Sequence, residues 1–385
     1  LPGESLKSGF DLQGYNECPA RATGNDVFSA WPCKNDWYET VKLNYGVDVC
    51  GGRVGHFCPV PSTWHKMLQI LLYWAGQDVD GFRCDMAEMV PVEFWEWVIP
   101  QIKEAYPQII FIAEVYNPAE YRNYIHRGHF DYLYDKSGLY DAIRDIVRKN
   151  ASDSMAATGE WQSTKRITGN WQFLGDLQPR MLNFLENHDE PRFGSPEICA
   201  DPAHSIPSLY TSLFLNTAPF MVYFGEEVGE CGQDEEGMSG KNNRTTIFDW
   251  WKIDSVGRLY DEIHGGDTLL PQERELQDKF RKALTMAATE PAVTKGVTYD
   301  LCYCNMNSWG FDRDRHFAFL RHYADSTLLF VCNFSNKDAE IDLMIPDHAF
   351  NWMDLARTAQ LNPDAPLRVA VKAYDAIVLR LETDD

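Results

Sequence analysis

GFRCD at residues 81–85 is a short, mostly apolar run that ends on a carboxylate. Two runs downstream share this pattern: IIFIAEVY at 109–116 presents Glu114, and MLNFLENHDE at 181–190 presents His188 and Asp189. Short apolar runs bounded by polar residues are typical of buried strands in a parallel sheet. Parallel strands end at the same edge of their sheet, so these carboxylates are candidates for one shared site.

Helical patterns alternate with these runs. Apolar residues between Trp64 and Ala75 recur at helical spacing behind a Pro-Ser-Thr start, and a second helix is predicted over 94–106, where Pro100 should kink or break it. Further strands are predicted at 130–135 and 218–227, and further helices at 118–126, 138–150, 205–217 and 274–290. Five strands, each followed by a helix, indicate a parallel sheet.

No glycine-rich phosphate loop follows any of these strands, which argues against a nucleotide-binding doubly wound sheet and favours a (β/α) barrel.

Three regions are predicted from changes in composition and pattern along the sequence. Residues 1–60 are rich in Gly, Asn, Cys and Pro and form an irregular loop domain. Residues 61–295 form the barrel, with a polar stretch at 151–178. Residues 296–385 hold strands separated by turns, without helices, and form a small β-sandwich.

Composition limits the function classes. The 385 residues are 44% hydrophobic and 24% charged, as in ordinary globular proteins, and carry a formal net charge of −22. This charge repels phosphate backbones and argues against nucleic acid as a partner. No apolar run reaches the roughly eighteen residues of a membrane span. The first ten residues lack a signal-peptide pattern, and secreted, periplasmic and cytoplasmic locations all stay open.

Ten cysteines are present without a C-x-x-C pair, so a zinc site is not expected. Those before residue 60 are predicted either to form disulfides or to remain free thiols in a reducing compartment.

The paired carboxylates indicate glycoside cleavage, in which one attacks the anomeric carbon and the other protonates the leaving oxygen. Arg83 lies two positions before Asp85, so both side chains point to the same face of a strand. A guanidinium there would keep Asp85 ionised and nucleophilic. The apolar neighbours of Glu114 would favour its neutral acid form by desolvation. Polar residues also end many strands without catalytic purpose, so purely structural carboxylates remain the alternative.

GFRCD, AEV at 113–115 and ENHDEPR at 186–192 resemble three sequence regions of the α-amylase clan, glycoside hydrolase family 13. WYETVKLNYG at 37–46 and APFMVYFGEE at 218–227 resemble two further regions in the family's order. The resemblance implies a retaining α-glycosidase. Its roles fall on the nucleophile Asp85, the general acid/base Glu114, the transition-state stabiliser Asp189, and the sugar-contacting or partner residues Arg83 and His188.

The resemblance also implies eight barrel strands, of which this chain shows the last five. The first three are expected upstream of Leu1 or on another chain, together with a D-x-x-x-N-H region that has no counterpart in 1–60. Glu88 and Met89 stand where the family commonly has the Lys and His that contact the leaving-group side. With V-K-L-N at 41–44, this departure favours the neopullulanase and cyclomaltodextrinase branch.

Other side chains have two interpretations each. Tyr116 and Trp161 are predicted to stack on sugar faces, although most aromatic residues simply bury area. Arg192 is a candidate substrate-binding residue that could instead form a structural salt bridge. Asp176, Asp201 and the acidic run at 234–236 could bind a structural calcium ion, with a solvated acidic loop as the alternative.

The sequence therefore predicts an α/β protein: a (β/α)8 TIM barrel with strands four to eight evident, and an all-β C-terminal sandwich. The predicted function is hydrolysis of α-glucosidic bonds in starch, maltodextrin or maltooligosaccharides, with no cofactor required for the chemistry. An α-glucan transglycosylase on the same scaffold is the first alternative. A non-catalytic glucan-binding protein or inactive fragment is the alternative from another class.

Overall fold

The structure, a computed structural model, describes residues 23–28, 33–37, 39–49, 51–148, 162–233, 242–248, 252–358 and 361–381. The chain divides into two compact units, Leu1–Tyr134 and Asp135–Asp385. The domain limits predicted at residues 60 and 295 are based on changes in composition and pattern along the sequence, and they stay predictions.

The first unit contains a parallel sheet of three short strands. Its elements in chain order are β1 (Val47–Asp48), β2 (Val54–Gly55), α1 (Ser62–Ala75), β3 (Gly81–Cys84), α2 (Val92–Ala105), β4 (Ile110–Ala113) and β5 (Tyr132–Tyr134). β4 pairs with β3 on one side and β5 on the other, both in parallel. A Cβ atom on Gly81 would lie 2.3 Å from the carbonyl oxygen of Ile110, so only glycine permits this close start of the β3–β4 ladder. The helices and strands predicted between residues 62 and 116 are confirmed, and so is the strand predicted at 130–135.

Pro100 was predicted to kink or break this helix. Helix α2 continues through Pro100, so a break is wrong, and a kink stays a prediction. Proline removes one backbone hydrogen bond, to the carbonyl group four residues earlier. Both Pro100 and Glu96 are exposed, and water can therefore satisfy the freed carbonyl group. The opposite face of α2 buries Trp95, Val98 and Ile102 and holds the helix in place. The helix predicted at 118–126 is instead a 3₁₀ turn at Pro118–Glu120 and a π-helical turn at Asn123–Arg127.

The second unit begins with helices around two parallel strands. They are α3 (Asp141–Val147), α4 (Lys165–Leu174), β6 (Met181–Phe184), α5 (Ile206–Phe214), β7 (Phe220–Met221), α6 (Asp254–Ile263), α7 (Pro271–Thr289) and α8 (Pro291–Thr294). β6 pairs in parallel with β7. Helix α4 lies within the polar stretch at 151–178, where no helix was predicted, and its buried apolar face contains Ile167 and Leu174.

Two antiparallel sheets complete the second unit. Their elements are β8 (Val297–Asp300), α9 (Cys302–Asn305), β9 (His316–Tyr323), β10 (Ser326–Asn333), β11 (Ala339–Leu343), α10 (Asp347–Met353), β12 (Leu367–Val371) and β13 (Asp375–Leu381). One sheet has the order β13-β10-β9-β8, and the other pairs β11 with β12. The predicted sandwich is confirmed, but the prediction of no helix in this region is wrong. Helix α10 buries Ala349, Phe350 and Met353 between strands that were expected to be joined by turns.

The four-stranded sheet is buried on both faces. Phe317 and Phe319 of β9 belong to a core shared with helices α5 and α7. Ala318 and Leu320, which alternate with them, belong to a second core with β11 and α10. Alternate residues of a strand point to opposite faces, so β9 joins the two cores.

No helix in the described ranges has the length and hydropathy needed to cross a membrane. Among the described cysteines of the first sixty residues, Cys33 and Cys58 carry free thiols, and Cys18 and Cys50 lie outside the described residues.

Candidate active site

Asp85 and Glu114 follow the carboxyl-terminal ends of β3 and β4, and one guanidinium connects them. Arg83, inside β3, donates from Nη1 to the Asp85 carboxylate. Its Nη2 lies 3.2 Å from Oε2 of Glu114. The two carboxylates differ strongly in exposure, because the Asp85 side chain is 72% exposed and that of Glu114 is 4% exposed. The first unit therefore presents one open and one enclosed carboxylate on a shared cation.

Polar donors surround the carboxyl oxygens of Glu114. The hydroxyl of Tyr116 donates to Oε1 at 2.6 Å, and the backbone N–H of Met86 donates to Oε2 at 2.7 Å. Met86 has a φ of 45°, in the left-handed region that is costly for a non-glycine residue. The apolar environment expected from the neighbours of Glu114 is therefore absent at its oxygens. Ala113 and Val115 are fully buried, but their alternate positions direct them away from the carboxyl group.

Tyr134, at the end of β5, fixes the arginine. Arg83 Nε donates to its hydroxyl at 3.4 Å, and the guanidinium carbon lies 5.3 Å from the centre of its ring. Partial burial alone would lower the pKa of Arg83, but the Tyr134 hydrogen bond and the charge of Glu114 reverse this and raise it. The guanidinium thus stays cationic beside both carboxylates. Tyr134 was not predicted as a site residue, although its place as the last residue of the third strand in the sheet was a signal for it.

The loop after Asp85 is tied to the loop after β4. Oε2 of Glu88 accepts the backbone N–H of Asn117 at 3.0 Å, and the carbonyl oxygen of Glu88 accepts the Tyr124 hydroxyl at 3.1 Å. The carbonyl oxygen of Met89 accepts Lys42 Nζ at 2.6 Å. Polar atoms of Glu88 and Met89 therefore hold the loop after Asp85 in place.

His188 and Asp189 follow β6 in the second unit. His188 Nε2 lies 3.2 Å from Oδ2 of Asp189, and both side chains are partly exposed. The Asn187 side chain accepts the backbone N–H groups of Asp189 and Glu190, each at 2.9 Å. This turn fixes the direction in which the chain leaves β6.

Arg192 lies in the interior of the second unit, as the salt-bridge alternative predicted. Its side chain is 0% exposed, and Nη1 lies 2.6 Å from Oε2 of Glu186. Its other donors go to Thr245 Oγ1 at 2.8 Å and to the carbonyl oxygen of Phe224 at 2.7 Å. The ring of Tyr223 lies 4.4 Å from its guanidinium carbon. These partners enclose Arg192 in the protein interior. Arg192 thereby fixes the segment that follows Asp189 in the chain.

Buried carboxyls cluster near this ion pair. Burial raises the pKa of Glu186, and the charge of Arg192 opposes that shift. Burial raises the pKa of Glu226 well above its usual value, and the negative charge of Glu186 adds to the effect. Oε2 of Glu226 accepts the Tyr223 backbone N–H at 3.0 Å, whereas its buried Oε1 has no hydrogen-bond partner among the residues that the structure describes. This cluster was not predicted from the sequence, because Glu186 and Glu226 lie on two separate segments that only the fold brings together.

A further carboxyl, Asp135, directly follows β5. Burial raises its pKa to about 6. It accepts the Leu139 backbone N–H and the Asn170 amide, each at 3.0 Å, and so holds the turn that leads to α3.

The predicted site residues thus form two groups. In the first unit Arg83 contacts both Asp85 and Glu114, and Tyr116 contacts Glu114. In the second unit His188 and Asp189 are in contact. Trp161 and the acidic run at 234–236 lie outside the described residues. Asp201 accepts the Ala203 backbone N–H at 2.9 Å. Within the described ranges, no three His, Cys, Asp or Glu side chains are grouped as metal ligands.

Two family models match the chain. The model of the α-amylase catalytic domain matches residues 60–259, more than half of the chain. The chain belongs to the α-amylase family. The model of the maltogenic amylase C-terminal domain matches residues 311–378, which cover most of the antiparallel sheets. The predicted resemblance to the α-amylase clan is confirmed.

Relatives and solved structures of the α-amylase family agree with this assignment. A cyclomaltodextrinase of Geobacillus thermopakistaniensis is 20% identical over 76% of this chain and 43% of its own length. A maltosyltransferase acting on α-1,4-glucan and maltose 1-phosphate, from Myxococcus xanthus, is 27% identical over 31% of this chain and 18% of its own. The α-amylase of H. orenii superposes with a TM-score of 0.60 at 19% identity, covering 91% of this chain and 68% of that one.

The fold prediction is therefore confirmed: parallel strands and helices of the α-amylase barrel precede an antiparallel C-terminal domain. The chain spans less than half of the length of either curated relative.

Proposed function

We propose that this α-amylase family chain carries the catalytic carboxylates of a retaining α-glycoside hydrolase that acts on α-glucans. The observation behind this proposal is the Arg83 guanidinium, which holds Asp85 and Glu114 at neighbouring strand ends. Retaining enzymes need their two carboxyl groups only about 5–5.5 Å apart, and two ligands of one guanidinium fit such a short separation.

The difference in exposure supports different roles for the two carboxylates. Asp85 is open to an incoming sugar, and its ion pair with Arg83 orients the carboxylate of the proposed nucleophile. Its oxygen forms a bond to the anomeric carbon while the bond from that carbon to the glycosidic oxygen breaks. The leaving oxygen takes the proton of Glu114. Glu114 then accepts a proton from water, whose oxygen attacks the anomeric carbon and releases Asp85.

Glu114 must exchange its hydrogen-bond partners during this cycle. Tyr116, Met86 and Arg83 all donate to or lie beside it, which suits the carboxylate that awaits a proton from water. A sugar between the carboxylates would displace at least one of these contacts as Glu114 donates its proton. His188 and Asp189 are proposed to hold sugar hydroxyls as positive charge develops at the anomeric carbon.

The proposed substrates are linear and cyclic α-1,4-glucans. The cyclomaltodextrinase relative and the Glu88-Met89 departure both support this class. The maltosyltransferase relative supports a second candidate, transfer of the glycosyl group to another sugar, because water and a sugar hydroxyl compete for the same intermediate.

The test is incubation of the protein with maltoheptaose and with β-cyclodextrin, followed by product analysis. Asp85→Asn and Glu114→Gln should each lower turnover by at least about a thousandfold, as loss of a reacting group does. Glu104→Gln, an exposed acid on α2, is the matched control and should keep full activity. Equal turnover in the parent and both site variants would refute the roles. Products longer than the substrate would establish transfer, and binding without turnover would establish a binding module.

A further inference from the structure

A cavity of about 700 Å³ opens in the second unit beside the end of α3 and the antiparallel sheets. This volume lies within the range of about 300–1,000 Å³ that is typical of small-molecule sites. Residues of both parts of the unit line it, among them Val147, Trp309, Arg315, Asn336, Lys337 and Tyr374. None of its lining residues belongs to the candidate active site. We propose that this cavity is a second, non-catalytic binding site for α-glucan chains.

Trp309 is the apolar surface of the proposed site. Its side chain is 59% exposed, an unusual exposure for so large a ring. The guanidinium carbon of Arg368 lies 5.0 Å from the ring centre and covers one face. Arg368 is itself held by Asp342 at 2.7 Å. With one face covered, the exposed area of the indole belongs to its other face and edge, which can stack on the flat face of a sugar ring.

The backbone holds Trp309 rigidly. Its carbonyl oxygen accepts the Asp342 N–H at 2.9 Å. Gly310 has a φ of 77°, and a Cβ atom there would lie 1.8 Å from the carbonyl oxygen of Glu340. Only glycine allows this approach, so the Trp309-Gly310 pair is locked against β11. A ring fixed before binding loses little conformational entropy when it stacks on a ligand.

Polar groups of two kinds line the remainder of the cavity. Arg315 is immobilised by the Ile146 carbonyl oxygen at 2.9 Å and by Gln162 Oε1 at 3.1 Å. The side chains of Asn336 and Lys337 form no hydrogen bond or ion pair within the described residues, so their donors are available to ligand hydroxyls.

The charge balance indicates a neutral ligand. The cavity lining carries Arg148, Arg315 and Lys337 against Asp312, Asp338 and Glu340, so it has no formal excess of either sign. Two of these groups are already paired, Arg148 with Glu197 and Asp338 with Lys372. Such a lining does not favour a phosphorylated or anionic ligand. A neutral polyhydroxyl compound with apolar ring faces fits best, and the choice of α-glucan among these rests on the proposed function.

The test is affinity electrophoresis of the Asp85→Asn protein through gels that contain soluble amylopectin. Adding Trp309→Ala should weaken retention by about tenfold, as expected when one stacking contact is lost. Trp309→Phe, which keeps a flat ring, should restore most of the retention. Trp352→Ala is the matched control, because this tryptophan of the same unit is 52% exposed but does not line the cavity. It should leave retention unchanged.

Hydroxyl-radical footprinting with maltoheptaose locates the contact, and protection of Trp309 but not of Trp352 is expected. Unchanged retention of Trp309→Ala, or equal loss in Trp352→Ala, would overturn the second site. The two proposals fail separately. Loss of retention in Trp309→Ala supports the cavity even if the parent hydrolyses nothing. Conversely, Trp309→Ala in an otherwise intact chain should hydrolyse maltotriose at the parental rate.

Discussion

Removal of the Arg192 side chain should destabilise the second unit more than loss of any exposed ion pair. Arg192→Met keeps an apolar stem but deletes three donors, to Glu186, Thr245 and the Phe224 carbonyl oxygen. Glu186 then remains buried, with the Phe193 backbone N–H as its donor at 2.6 Å. Breaking a buried pair from one side typically costs about 3–5 kcal/mol of unfolding free energy. We expect a loss in that range at pH 7.

Equilibrium urea unfolding, followed by tryptophan fluorescence, measures this cost. Glu186→Gln combined with Arg192→Met should be at least about 1 kcal/mol less damaging than the sum of the single changes, because the double variant buries no lone charge. Arg357→Met is the control, since Arg357 and Asp347 are also 2.6 Å apart but both largely exposed. It should cost no more than about 1 kcal/mol. A similar small cost for Arg192→Met, or strict additivity in the double variant, would refute the reasoning.

Three further predictions concern acids and their partners. The raised pKa of Glu226 stabilises the folded protein below pH 4.5, its ordinary value, and this contribution is lost as the pH rises through the folded-state pKa. Glu226→Gln should therefore be more stable than the parent at pH 8 but not at pH 4, and parallel thermal curves at both pH values would contradict this. Arg83→Gln should lower kcat/KM for maltoheptaose by roughly tenfold to a hundredfold, the value of one charge-assisted contact; parental kcat/KM would exclude a role for the guanidinium. Tyr116→Phe removes the donor to Oε1 of Glu114 and should lower kcat/KM for maltoheptaose by roughly tenfold, the value of one charge-assisted hydrogen bond. An unchanged kcat/KM would separate this hydroxyl from the catalytic acid.

Strand ends show what the sequence could and could not predict. Asp85 and Asp135 carry the same signal, a carboxylate directly after a short apolar run. The structure leaves Asp85 open beside Arg83 but encloses Asp135 with Leu139 and Asn170. Periodicity locates a strand end because it depends on near neighbours in the chain. It cannot locate burial, which depends on residues far away in the sequence.

The environments of the side chains were less predictable than their positions. The sequence leaves Arg192 as either a substrate-binding residue or a structural ion pair, whereas in the structure Phe224 and Thr245, 32 and 53 residues away, enclose it. Glu114 has apolar neighbours in the sequence, yet its oxygens meet donors from Met86 and Tyr116. Side-chain alternation along a strand explains the contrast, since flanking residues point away from the one they flank.

The sheet residues of β9 have a practical consequence for anyone who shortens this protein. Cutting between residues 295 and 296 would separate Phe317 and Phe319 from the helices that they cover. The apolar faces of those helices would then be exposed to solvent. Each half would then be expected to associate through the exposed surface, since broad apolar patches promote association. The antiparallel region is therefore not expected to fold as an independent domain that can be grafted or deleted. Protein engineers should treat it as part of the hydrophobic core of the second unit.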